Sequence, residues 1–282
     1  MYKTLECRPD NYQGWYQQGN TLSKEGSYYD ALASYDKAIE YHPGDYWAWY
    51  RKAGVLETIG RYAEAIENYQ QASEIKPDNY WAWYEQGCIY LEELAQYENA
   101  IACFTRALAR KPDDYWAIYR LGEAYRFHRE YELAIKHYER AIELRPQDFW
   151  AYYRKAETLQ SWKKWDLALD SYDLAISLHP KDFWTYYQKG TILEQLTNYQ
   201  AAIECYQKAW EIEPEEKFIY RQACCYALLN KPNWAITYLE RAIELYPVKY
   251  LELAVRDRVW QDYQQRAGFQ ALIAKKQQQY LQ

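Results

Sequence analysis

Glycine and proline are scarce in this 282-residue chain, with ten and nine residues respectively. That scarcity excludes a collagen-like or low-complexity polymer. Charge of one sign is scarce as well: 34 Lys and Arg stand against 40 Asp and Glu, for a net charge of −6. So small an imbalance gives no electrostatic case for DNA or an anionic membrane as main partner. No run of about 18 apolar residues occurs, so no transmembrane helix is expected. The first residues, MYKTLECRPD, lack a basic region followed by an apolar run, and do not read as a secretory signal.

Chemistry-bearing groupings are missing too. The only histidines are His42, His128, His137 and His179, none with a Cys or His partner at metal-ligand spacing. His42 and His179 each precede a proline and read as helix C-terminal residues favoured by the dipole. Cys7, Cys88, Cys103, Cys205, Cys224 and Cys225 are scattered, as in a reducing compartment, and the adjacent Cys224–Cys225 suits neither zinc nor an easy disulfide. There is no Gly-rich phosphate loop and no Ser-His-Asp arrangement. The sequence thus offers no catalytic, cofactor-binding or metal-binding residues, and the expectation is a cytoplasmic non-enzyme.

What is abundant is aromatic side chains: 34 Tyr, 13 Trp and 6 Phe, far more than one core needs. They come in recurring stretches, GDYWAWYRKAG at 44–54, then DNYWAWYEQG, DDYWAIYRLG, QDFWAYYRKA and KDFWTYYQKG. Eight prolines, from Pro9 to Pro247, are spaced 34, 34, 35, 34, 34, 34 and 33 apart. Two alanine series, starting at Ala31 and Ala38, keep the same beat. So does an always-small series, Gly19, Ala53, Gly87, Gly122, Ala156, Gly190 and Ala223. Each repeat resolves into two helices. In the second repeat Asp45 caps Tyr46–Ile59, Gly60 marks a turn, and Tyr62–Lys76 is stopped by Pro77. The third repeat has one extra residue around LEELAQY, and Pro232 opens the second helix of the seventh.

The pattern Trp49, Ala53, Leu56, Tyr62, Ala65, Tyr69, Ala72 and Pro77 resembles the tetratricopeptide repeat at every landmark. The wording YDKAIEYHPGDYWAWY is also similar to the cyanobacterial type. The resemblance implies an all-α, right-handed superhelical solenoid of antiparallel helix pairs, whose first helices line a concave groove. The expected layout is a lead-in at 1–11, seven tandem repeats at 12–247, and capping helices with a basic Gln-rich tail at 248–282. Within the last segment, helices are expected at Tyr250–Tyr263 and Phe269–Tyr280.

At 100° per residue Trp49, Ala53 and Leu56 share the face toward the second helix, whereas Trp47 and Tyr50 fall on the groove side. Trp47, Trp81, Trp116, Trp150 and Trp184 form one ladder. Tyr50, Tyr84, Tyr119, Tyr153 and Tyr187 belong to another, with Arg120 and Arg154 beside them. With each aromatic side chain presenting roughly 150–250 Å², such a groove asks to be filled. The leading expectation is a scaffold or assembly factor that binds a peptide or helix of a partner protein. The cyanobacterial likeness adds a setting peripheral to a membrane-bound complex. Arg51, Arg120 and Arg154 either stack on the tryptophans four residues before them or favour an acidic or aromatic-bearing segment. Two clamps of the family are a poor match: Asn20 is the one fit to the carboxylate clamp, and no asparagine ladder exists. The alternatives are single-stranded nucleic acid bound by stacking, against which the net acidity argues, and self-association through the ladder.

Overall fold

The computed structural model describes residues 11–280. Cys7, Pro9 and nearly all of the expected lead-in lie outside the described residues. The fold is an all-α solenoid of consecutive antiparallel helix pairs. It divides into two compact units, residues 1–146 and 147–282.

The described part of the first unit holds four pairs: α1 (Tyr12–Lys24) with α2 (Tyr28–Tyr41), α3 (Tyr46–Thr58) with α4 (Tyr62–Ile75), α5 (Tyr80–Cys88) with α6 (Tyr97–Leu108), and α7 (Tyr115–Phe127) with α8 (Tyr131–Leu144). The second unit holds α9 (Phe149–Ser161) with α10 (Trp165–Leu178), α11 (Phe183–Gln195) with α12 (Tyr199–Ile212), and α13 (Glu216–Leu228) with α14 (Pro232–Leu245). Then follow α15 (Pro247–Arg256), a 3₁₀ stretch at Arg258–Tyr263, and α16 (Ala267–Tyr280).

The first helices start where the cap residues place them. Asn11, Asp45, Asn79, Asp114, Asp148 and Asp182 each accept a hydrogen bond from a backbone N–H of the first turn, satisfying a donor the helix cannot. The second helices are held by packing. Every alanine of both periodic series is fully buried, and between them sits one large side chain per repeat: Tyr35, Tyr69, Phe104, Tyr138, Tyr172, Tyr206 and Leu239. The always-small position of the first helix makes room for that ring. A Cβ on Gly87 would stand 2.7 Å from Phe104, and one on Gly190 2.6 Å from Tyr206.

All seven turns between paired helices put one residue at positive φ, and only the first two use glycine, Gly26 and Gly60. The others are Ala95, Arg129, Lys163, Thr197 and Asn230. Each follows a helix end closed by a bond such as Asn198 N–H to the Leu193 carbonyl, at 2.8 Å, so the conformation is imposed by the pairing. Thr197 (φ 58°) is β-branched and suffers most. Thr197→Gly is expected to stabilise the chain by about 1 kcal/mol, read as a higher midpoint in urea; an unchanged or lower midpoint would show the turn unstrained.

The extra residue of the third repeat is absorbed as a single π-helical turn, Ile89–Glu93, closed by Leu94 N–H on the Ile89 carbonyl at 3.1 Å. At the C-terminus a helix begins at Pro247, three residues before the sequence placed it. It breaks at Asp257, whose carboxylate takes the Tyr220 hydroxyl at 2.9 Å and caps the 3₁₀ stretch. Trp260 is buried there, stacked on Phe269 of α16. Lys276 of α16 is buried as well, paired with Glu244 (2.6 Å) and Glu240 (3.1 Å) of α14. Two of the tail's six basic residues, Lys275 and Lys276, are thus used in holding the last helix down.

Candidate functional site

Each aromatic stretch opens a first helix, and its members separate by position. The first residue of the helix (Tyr46, Tyr80, Tyr115, Phe149) is buried. The second is the exposed tryptophan. The fifth, the ladder tyrosine, lies back over the pair's interior. In the first unit Tyr46 meets Trp47 edge-on at 5.0 Å and stacks on Tyr50 at 5.5 Å, and Tyr50 in turn meets Tyr69 of α4 at 5.4 Å. The same arrangement recurs at Tyr80, Trp81, Tyr84 and Phe104, and at Tyr115, Trp116, Tyr119 and Tyr138. In the second unit Phe149, Trp150, Tyr153 and Tyr172 repeat it, and Trp184 leans on Tyr187.

The two ladders therefore differ. Trp47, Trp81 and Trp116 of the first unit are 43%, 45% and 50% exposed, and Trp150 and Trp184 of the second 55% and 37%. Tyr119 and Tyr153 are buried, and Tyr50, Tyr84 and Tyr187 half-buried. With the tyrosines mostly covered, each tryptophan leaves roughly 100 Å² open. The exposed aromatic area is thus smaller than the sequence implied and consists of separate indole plates.

Trp49 is not the fully buried residue its helical position suggested. It is half-buried, its indole N–H donating to the Pro43 carbonyl at 2.8 Å, so it seals the loop entering the helix. Tyr46, which the helical projection did not single out, takes the buried place. Its hydroxyl donates to Asn79, the cap of the next first helix, at 2.9 Å. Tyr12 reaches Asp45 in the same way, and Tyr80 reaches Asp114 at 2.8 Å. Each of these caps thus ties its own helix to the preceding repeat. The signal was in the sequence as Tyr recurring directly after the cap.

The cations do not sit where helical spacing put them. Only Arg154 lies over the tryptophan four residues before it, Trp150, at 6.0 Å. Arg120 instead pairs with Glu92 (2.5 Å) and Glu123 (3.0 Å), and Arg154 also pairs with Glu157 (2.7 Å). The residue before the repeat-ending proline takes the stacking role. Lys111 lies 4.9 Å from the Trp81 ring and Arg145 5.4 Å from that of Trp116. His42 and His179 hold this same position, against Tyr12 and Phe149. In the seventh repeat, where the ladder tryptophan gives way to Lys217, that ammonium caps Trp184 at 4.5 Å. These contacts cover one side of the indoles and fix them, each worth about 0.5–1 kcal/mol where exposed.

Two carboxylates in the first unit lack such compensation. Glu85 receives the Tyr50 hydroxyl at 3.3 Å, and Glu57 the Tyr69 hydroxyl at 2.9 Å; among the described residues neither has an ion-pair partner. Burial, with the Glu57 charge beside it, pushes the Glu85 carboxyl up to about 7. The folded chain then retains a proton that the unfolded chain releases near 4.5. Stability should therefore fall as pH rises from 4.5 toward 7 and level off above. Glu85→Gln is expected to raise stability at pH 8 by on the order of 2 kcal/mol, an advantage that vanishes near pH 4.5. A gain independent of pH would refute the assignment.

Among the described residues no group of His, Cys, Asp and Glu is placed to hold a metal ion, and no helix is long and apolar enough to cross a membrane. The five described cysteines are free thiols, with burial pushing Cys103 and Cys205 up to about 11.

Tetratricopeptide-repeat family models match residues 16–80, 82–114, 115–148 and 137–170, together more than half of the chain. The chain belongs to the tetratricopeptide-repeat family. A further model, described as the C-terminal region of a virulence-factor membrane-bound polymerase, matches residues 181–259. Solved structures agree on the tetratricopeptide fold. The C-terminal part of a repeat-containing protein from Cytophaga hutchinsonii is similar at a TM-score of 0.71 and 17% identity, over 84% of this chain and 98% of that one. YrrB, a tetratricopeptide-repeat protein with an unusual peptide-binding site, is similar at 0.57 and 24% identity, over 65% of this chain and 94% of that one. MamA is similar at 0.55 and 25% identity, over 57% and 94%. No curated protein matches the sequence.

Proposed function

We propose that the chain is a non-catalytic cytoplasmic scaffold or assembly factor. Its first helices hold a peptide or helical segment of a partner protein against Trp47, Trp81 and Trp116 in the first unit and Trp150 and Trp184 in the second. The observation that carries this reading is the indole at the second position of five consecutive first helices, 37–55% open to solvent while the residue after it is buried. A tryptophan fixed edge-on by a buried ring, and in most cases capped by a cation, has little rotamer freedom left to lose on binding. Rigid anchors of that kind are what interface hot spots are made of. The family's general use of such repeats, to bind other proteins, supports the same conclusion. Stacking of single-stranded nucleic acid is less well supported, because Arg120 and Arg154 are occupied by carboxylates of the same face.

The test is retention of proteins from the native lysate on the immobilised full chain. Wild type is compared with Trp81→Ala/Trp116→Ala, with Trp150→Ala/Trp184→Ala, and with Leu167→Ala/Leu174→Ala, two exposed positions on α10. Proteins kept by wild type and the leucine variant but lost from a tryptophan variant are the expected result. Equal retention by all four would place binding elsewhere.

A further inference from the structure

We propose that the partner segment seated on the first unit carries a lysine or arginine, and that Glu57 and Glu85 receive it beside Trp47. This rests on the groove reading above and adds the partner's chemistry. The argument is charge complementarity on an aromatic face.

Glu57 of α3, Glu85 of α5, Glu92 in the π turn and Glu123 of α7 lie on the first helices of three successive repeats. Arg120 is the cation bonded among them, and it is already shared by Glu92 and Glu123. Glu93, at the end of the π turn, is turned to the Tyr62 hydroxyl of α4. Among the described residues Glu57 and Glu85 are left with tyrosine hydroxyls, partly buried and with the Glu57 charge acting on Glu85. A half-buried carboxylate pair without a cation is costly to keep ionised, and an arriving ammonium or guanidinium removes that cost. Arg51 of α3 lines a cavity of about 440 Å³ together with Tyr50 and Tyr69, the rings that serve Glu85 and Glu57, yet among the described residues it forms an ion pair with neither carboxylate.

Geometry brings the acid and the aromatic together. The Tyr50 hydroxyl is on Glu85, and the same ring meets Trp47 edge-on at 5.8 Å. A single segment can therefore lay an apolar group on the Trp47 indole and pass a basic side chain to Glu85. Nucleic acid would bring phosphate to four carboxylates and is disfavoured at this position.

The experiment is selection of random 12-residue peptides displayed on phage, using the full chain as bait. Affinities of the selected synthetic peptides are then measured for wild type, Glu57→Gln/Glu85→Gln and Trp47→Ala/Trp81→Ala, each with its melting curve. The expected result is enrichment of Lys or Arg next to an apolar residue. Binding should weaken at least tenfold in the glutamine variant, and replacing the basic residue by norleucine should cost wild type as much and the glutamine variant little. Peptides that depend on the tryptophans but lack a basic residue, or that bind the glutamine variant as well as wild type, would overturn this inference and leave the groove reading standing. Peptides indifferent to the tryptophans, or a bait that selects none, would overturn both. A bait that instead pairs with itself in sedimentation through the same tryptophans would make a second copy the occupant and refute the proposal.

Discussion

Gly190→Leu is expected to destabilise the chain by about 3 kcal/mol or more, with loss of cooperative melting in the second unit. The reason is local. Tyr206 is fully buried between the alanines at 202 and 209, and its ring lies where a Cβ on residue 190 would have to be, 2.6 Å away. Packed cores resist added volume because the neighbouring side chains already sit in their rotamer minima. Here the ring has no room to withdraw, since Tyr187 lies against it at 5.8 Å on the same side of the pair. The control is Ala156→Gly, at the equivalent place in the fifth repeat. It removes a buried methyl and lowers helix propensity, for about 1–2 kcal/mol. Urea titrations of both variants separate overpacking from propensity: because leucine is the better helix former, a raised midpoint for Gly190→Leu beside a lowered one for Ala156→Gly would mean that the small position is a matter of helix preference and not of the ring.

Removing two indoles of the first unit, as in Trp81→Ala/Trp116→Ala, is expected to weaken the captured partner by about thirtyfold or more. Truncated hot-spot aromatics cost 2 kcal/mol or more. Stability should change far less than for a core tryptophan, whose truncation costs about 3–5 kcal/mol, because about half of each ring already faces water. What the fold loses is the edge contacts to Tyr80 and Tyr115 and the cation contacts of Lys111 and Arg145. A variant that binds normally but melts far lower would turn the tryptophans into structural elements. A variant that melts normally and binds poorly is the outcome the geometry supports.

The fold was readable because the repeat is written in residue types that physics constrains tightly. Proline ends the second helices, Asp or Asn caps the first, alanine permits close approach, and the small position fits a ring. Helix ends in the second repeat came within one residue, since Asp45 and Pro77 fix them. The site was read less completely. Helical projection assigns a residue to a face but not to a depth, and depth separated Trp47 from Tyr50 and exchanged Trp49 with Tyr46. Four-residue spacing also overstated the arginines. A guanidinium chooses between an indole and a carboxylate, and Glu92 and Glu123 are the stronger pull on Arg120. The residues that do cap Trp81 and Trp116, Lys111 and Arg145, come from beyond the second helix, about 30 positions away. No local periodicity connects them. The π turn was visible only as one extra residue, because where a helix stores an insertion depends on which neighbours hold its ends.

Hydrogen exchange of the full chain, alone and with a saturating amount of the partner segment, tests the central claim most directly. The account predicts added protection in peptides covering α3, α5 and α7, or α9 and α11, with α4, α6, α8 and α10 unchanged. Protection confined to those second helices, or to α16, would contradict it.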